Sequence, residues 1–155
     1  MGVSFNGHAG AIDWIQSRFK KHRPATLYYD ELRTPTYTDC LNELCETALA
    51  NSLAGLYHAG GPRGLSLYEV AQVINRVGGY DPALLHGCLR QQAGPIPPRA
   101  GDVRDSLADT TLAKKMLGHD PKFSFEEGLR RTLAWYRQNG FITRPLPGSP
   151  TVSGV

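Results

Sequence analysis

The chain has 155 residues, 41% hydrophobic and 20% charged, with 17 Lys and Arg against 14 Asp and Glu. That length fits one domain with a real core, and the composition excludes a disordered or fibrous chain. A net charge of +3 is too small to argue for nucleic acid, and no stretch approaches the ~20 apolar residues of a membrane span.

Gly7-His8-Ala9-Gly10 leads into Ala11, Ile12, Trp14, Ile15 and Phe19, spaced for a helix with one apolar side. The basic cluster Lys20-Lys21-His22-Arg23 reads as the solvated end of that helix, before Pro24. Residues 26–29 read as a short strand. Residues 30–37 read as an extended linker, because Pro35 pushes its predecessor out of helical geometry. Asp39 is placed to cap a helix whose Leu41, Leu44, Cys45, Ala48 and Leu49 repeat as a buried face.

Residues 56–59 read as a second strand, followed by the turn Gly60-Gly61-Pro62-Arg63-Gly64, whose glycines are expected at positive φ. Ser66-Leu67-Tyr68-Glu69 has the form of a capping box. Val70, Ala71, Ile74 and Val77 continue that helix's apolar side until Gly78-Gly79 stops it. Asp81-Pro82 is suited to cap a short turn carrying Leu84 and Leu85. Residues 87–103 hold little regular pattern, and Pro95, Pro97 and Pro98 stiffen the connection. Asp109 then caps a helix with Leu112, Ala113, Met116 and Leu117, ended by Gly118. Ser124-Phe125-Glu126-Glu127 is a second candidate box, opening a helix with Leu129, Leu133 and Tyr136 that Gly140 closes. Trp14, Phe19, Tyr68, Trp135 and Tyr136 fall at helical spacings and read as core. After Thr143 the chain is rich in Pro, Gly and Ser. The expected organisation is therefore a lobe over 1–142 and a disordered tail over 143–155. The fold class is α+β: mostly helical, with a few short strands and without the regular alternation that builds a Rossmann sheet.

Cys40, Cys45 and Cys88 are odd in number and read as reduced, cytoplasmic thiols. The five histidines have no metal-ligand spacing, and His58, in the expected strand, reads as a core or hydrogen-bonded residue. The glycine turn after residues 56–59, with Asp81 about 20 residues on, imitates a dinucleotide fingerprint. Three features argue against it. Gly60 and Gly61 are adjacent, Pro62 lacks the amide a pyrophosphate would need, and Ser66 already takes an amide of the first helical turn. Arg33, in a short extended segment, and Arg99, in Pro97-Pro98-Arg99-Ala100-Gly101-Asp102, are the candidate anion ligands. Each alone reads as a surface charge, but two guanidinium forks converging on one spot would hold a diphosphate. Asp102 reads either as a turn residue or as an acceptor for a ribose or sugar hydroxyl.

Arg33-Thr34-Pro35-Thr36-Tyr37-Thr38-Asp39 resembles a segment of the extended short-chain dehydrogenase/reductases that act on nucleotide sugars. Residues 56–61 with 65–71 resemble that family's strand–turn–helix. The series Arg99-Ala100-Gly101-Asp102, Ala108-Asp109, Leu117-Gly118-His119-Asp120-Pro121 and Phe125-Glu126-Glu127-Gly128-Leu129 resembles its C-terminal ending. The pieces cover roughly residues 25–137 in the family's order. Thr34-Pro35-Thr36-Tyr37 and the glycine turn look most like dTDP-4-dehydrorhamnose reductases, whereas Arg99–Asp102 leans toward UDP-sugar epimerases.

The resemblance implies a C-terminal lobe that binds a dTDP or UDP sugar. It places Arg33 and Arg99 on the diphosphate and Asp102 near the nucleotide, and makes Met1-Gly2 the end of a loop from a cofactor domain. The family uses NAD(P), but its glycine-rich cofactor motif and its Tyr-x-x-x-Lys pair are absent from these residues, and Cys40 replaces the second Asp of its Asp-Asp pair. No cofactor is therefore expected on this chain. The expectation is a substrate lobe apart from its cofactor domain (a truncation, a mis-set start or half of a split enzyme), inactive alone and prone to self-association or to pairing with a separate Rossmann domain. A lobe of an epimerase or dehydratase, or a non-catalytic interaction module, are the alternatives.

Overall fold

A computed structural model describes residues 11–94 and 105–140. The lead 1–10, the segment 95–104 with Arg99 and Asp102, and 141–155 with the expected tail lie outside the described residues. In chain order the elements are α1 (Ala11–Lys20), β1 (Ala25–Tyr28), β2 (Leu32–Arg33), α2 (Thr38–Ala50), β3 (Leu65–Ser66), α3 (Leu67–Gly78), β4 (Leu85–Cys88), α4 (Thr111–Leu117) and α5 (Phe125–Gln138). The α+β class holds: the described helices dominate two small sheets.

The central element is α3. Ser66 Oγ accepts from Glu69 N at 3.1 Å, and Glu69 Oε2 accepts from Ser66 N at 2.7 Å, so the capping box closes in both directions. At the other end Gly79 takes the left-handed conformation at φ 64° and stops the helix. Between them Val70, Ala71, Val73, Ile74 and Val77 are buried. They meet Ile15 and Phe19 of α1, Leu129 and Leu133 of α5, and Ala25 and Leu27 of β1 in one core. Each large apolar side chain so buried contributes about 1.5–3 kcal/mol.

Strands β1 and β4 pair in parallel, Ala25 opposite Leu85 through Tyr28 opposite Cys88, and α3 packs on both. The strand β4 takes in Leu85, expected on the short turn, and Gly87-Cys88, where little pattern was expected, because Leu85-His86-Gly87-Cys88 carries no apolar alternation. Its place is set by β1 and by the Tyr29 ring, which lies where a Gly87 side chain would go (2.2 Å from an ideal Cβ). Before it, Asp81 Oδ1 accepts from Ala83 N at 2.9 Å and caps the short 3-10 turn Pro82–Leu84, as expected.

Several expectations need correcting. Residues 56–59 are not a strand; Leu56 and His58 are exposed, and the segment is held by Thr36 Oγ1 donating to Ala59 O at 3.0 Å rather than by a ladder. In α2 the buried pair is Cys40 and Leu44, while Leu49 is 80% exposed. That helix meets α4 near its start, so its later apolar residues face solvent. Tyr37, not Asp39, occupies its N-cap position. Trp14 and Trp135 are about half exposed, at 49% and 52%. Their rings instead carry the Arg18 guanidinium, 5.4 Å from the Trp14 centroid, and the edge of Tyr136. In α5 Ser124 Oγ accepts from Glu127 N at 3.2 Å, but the Glu127 carboxylate pairs with Arg131 at 2.9 Å one turn on.

Candidate functional site

Arg33 ends β2, and two distant segments hold that strand. On one side β2 pairs antiparallel with β3, Arg33 opposite Leu65, and Leu67 N donates to Glu31 O at 2.9 Å. On the other side Arg33 bridges in parallel to Ser106, whose N donates to Leu32 O at 3.0 Å. Asp105 Oδ1 accepts from Leu32 N at 3.2 Å. The described chain thus resumes after 95–104 directly against the strand that carries Arg33.

Thr34, Pro35 and Thr36 continue into a tight crossing with the glycine strap. Gly61 N donates to Thr34 O at 3.4 Å, and Thr34 Oγ1 accepts from Ala108 N at 3.2 Å. An ideal Cβ on Gly61 would lie 1.9 Å from Pro35 O, and one on Gly60 would lie 2.7 Å from Ala108 Cβ. Neither glycine has positive φ. The expectation of left-handed glycines here is therefore replaced by close backbone approach. His119, buried, places Nε2 3.2 Å from Gly60 O and braces the strap from behind.

Tyr37, last residue of the Arg-x-x-x-Tyr segment, packs edge-on to Phe123 at 5.6 Å. A Cβ on Gly128 would lie 2.9 Å from Tyr37 Cδ2, which explains a glycine inside α5 at the cost of helix propensity. Burial, then the hydrogen bond to Asp39, raises the Tyr37 phenol above its ordinary value. Tyr28 is raised as well, by burial first and then by the nearby Cys88 and Glu31. Neither tyrosine is tuned toward proton transfer near neutrality.

The polar cluster beside Arg33 was missed in the sequence. Glu31 is buried, at 7% exposure, and its carboxylate takes Arg90 on Oε1 and Arg33 at 3.6 Å on Oε2. Arg33 Nη1 also donates to Leu32 O at 2.7 Å. The Arg90 backbone is held in turn by Asp30 Oδ1, which accepts from Arg90 N at 2.9 Å. The one available signal was the adjacent Asp30-Glu31 pair two residues before Arg33; Arg90 carried none.

The glycine strap does not fit a dinucleotide. Residues 56–59 supply no strand, Gly60 and Gly61 are pressed onto Ala108 and Pro35, and the first-turn amide of α3 is spent on Ser66. Among the described residues no group of three or more His, Cys, Asp and Glu could hold a metal ion. No described helix is long and apolar enough to cross a membrane.

The sequence matches the RmlD substrate binding domain model across residues 6–138. It is 34% identical over 101 residues to a dTDP-glucose 4,6-dehydratase of Streptomyces niveus, covering 64% of this chain and 27% of that protein. Among solved structures, UDP-glucose 4-epimerase with UDP-glucose from Thermotoga maritima aligns at 28% identity and TM-score 0.59, over 86% of this chain and 41% of that one. The dTDP-4-dehydrorhamnose reductase of Bacillus anthracis in complex with NADP shares the fold at TM-score 0.67 and 20% identity, over 83% of this chain and 44% of that one. The chain thus spans less than half the length of each of these relatives.

Proposed function

Since the chain belongs to the RmlD substrate binding domain family, we propose that it is the nucleotide-sugar-binding lobe of an NAD(P)-dependent oxidoreductase acting on a 4-keto sugar carried by dTDP. In this reading Arg33 and Arg99 grip the diphosphate, and Asp102 accepts hydrogen bonds from a ribose or sugar hydroxyl. At the family level the chain is a substrate-binding domain of the sugar-nucleotide dehydratases, reductases and epimerases. The observation that carries the reading is the pairing of Arg33 with Ser106. It ties the first motif arm to the residues that follow the second, which is what a two-arginine clamp built from distant sequence requires.

The chain's own part is to bind and orient. A guanidinium fork matches two phosphate oxygens, and a strand pinned on both sides fixes where that fork starts. NAD(P), which would supply hydride chemistry, does not fit the glycine strap, and no Tyr here has a Lys four residues on. Its site, in this proposal, belongs to another stretch of polypeptide in the same assembly. A lobe of a UDP-sugar epimerase or a dehydratase is the second reading, favoured by the 28% identity to the UDP-glucose 4-epimerase and the 34% match to the dehydratase.

Isothermal titration of the chain with dTDP-glucose and UDP-glucose tests the proposal. We expect binding that Arg33→Ala and Arg99→Ala each weaken. Absence of binding for both sugars, alone and with a complementing cofactor domain, would leave the interaction module standing instead. Product analysis of the complemented assembly separates reductase from epimerase or dehydratase.

A further inference from the structure

We propose that Glu31 is the positioning residue of this site: its buried carboxylate aims the Arg33 guanidinium at the diphosphate by bridging it to Arg90. The inference rests on the reading of Arg33 as a phosphate ligand.

Carboxylates are rarely this buried unless paired, and Glu31 is paired twice. Its two oxygens are divided, Oε1 toward Arg90 and Oε2 toward Arg33. A carboxylate that only sealed β2 to the turn after β4 would need Arg90 alone. The second oxygen adds a constraint on Arg33. With Nη2 facing Glu31 and Nη1 donating to Leu32 O at 2.7 Å, the guanidinium plane is set from two directions. An Arg fork is rigid once its plane is set, so orienting the plane orients every remaining N–H.

Glu31 is itself held in place. Its carbonyl accepts from Leu67 N, and the next residue is bonded on both backbone atoms to Asp105 and Ser106. Arg90 is fixed through its own amide to Asp30. The carboxylate also lies between two cations that would otherwise repel across a poorly solvated gap. Neutralising it releases Arg33 from this restraint and leaves two like charges facing each other.

The test is calorimetric titration of the 155-residue chain with dTDP, for wild type, Glu31→Gln, Arg33→Ala and the double variant. Glu31→Gln is expected to weaken dTDP about tenfold, from the loss of the partly buried charge pair that it makes with Arg33 at 3.6 Å. In the Arg33→Ala background it should cost nothing further, because Glu31 acts through Arg33. Wild-type affinity in Glu31→Gln, or equal losses in both backgrounds, would overturn the positioning role while leaving Arg33 as ligand intact. If wild type binds dTDP neither alone nor with a complementing cofactor domain, or Arg33→Ala binds as wild type does, the reading of Arg33 fails and this role fails with it. Should Glu31→Gln not fold, Glu31→Asp keeps the charge and draws it back by one methylene. It must then give a smaller loss with Arg33 present and none without it.

Discussion

Replacing Gly61 with Ala tests the crossing that fixes the Arg33 strand. The residue is buried and its φ lies outside the left-handed region, so backbone strain is not at issue. The obstacle is the Pro35 carbonyl oxygen, 1.9 Å from the new methyl position, with Pro35 C at 2.9 Å. A carbon–oxygen contact settles near 3.3 Å, so the two backbones must part by about 1.4 Å. Overpacking of this kind costs about 1–3 kcal/mol. Parting the strands also strains Gly61 N to Thr34 O and Thr36 Oγ1 to Ala59 O, each worth about 0.5–1.5 kcal/mol net. The sum is about 2–6 kcal/mol, or a fall of roughly 4–24 °C in the midpoint of thermal unfolding for a domain of this size. Gly64→Ala is the matched control, since its methyl would meet only the end of the half-exposed Leu107 side chain at 2.9 Å. It should stay within about 0.5 kcal/mol of wild type. A Gly61→Ala midpoint within about 2 °C of wild type, or a larger loss in Gly64→Ala, would refute the close-approach reasoning.

Ser66→Ala removes the hydroxyl that caps α3 and should cost about 1 kcal/mol, seen as a fall of roughly 2–4 °C by circular dichroism. Leu133→Ala opens the core between α5 and α3 and should cost about 2–5 kcal/mol, measured by urea titration with an unchanged slope. The carboxyl of Glu69 is held below its ordinary 4.5 chiefly by the Ser66 amide, and that of Glu126 chiefly by Arg76. Because both folded-state values are lowered, their stabilisation is full above about pH 4.5 and is lost as pH falls through the folded values. The unfolding midpoint should therefore be level from neutrality to about pH 5 and decline below it, with Glu126→Gln flattening part of the decline.

How much of this was legible depends on the range of the forces involved. The Ser66–Glu69 box, the stop at Gly79, the Asp81 cap and the α3 face Val70, Ala71, Ile74 and Val77 were all readable, because each is settled within a turn or two of chain. The buried side of α2 was misread. Leu41, Cys45 and Leu49 have the right spacing, but only contact with α4 decides that Cys40 and Leu44 go inward. The purpose of Gly60 and Gly61 was misread as turn conformation for the same reason, since Pro35 and Ala108 are invisible from their neighbours. Arg33 was singled out by its motif, yet Glu31 and Arg90, which flank it in space, were not.

By itself the order of residues determined the class of fold, the ends of its best-capped helices and the family to which the lobe belongs. These follow from local hydrogen bonding, apolar period and short motifs, none of which needs a partner far along the chain. Tertiary structure alone decided that β4 lies beside β1, that residues 59–61 press on 34–36, and that one carboxylate joins arginines 57 positions apart (33 and 90). Such contacts are chosen by what the whole chain can bury and pair at once, and that is not written in any single window of it.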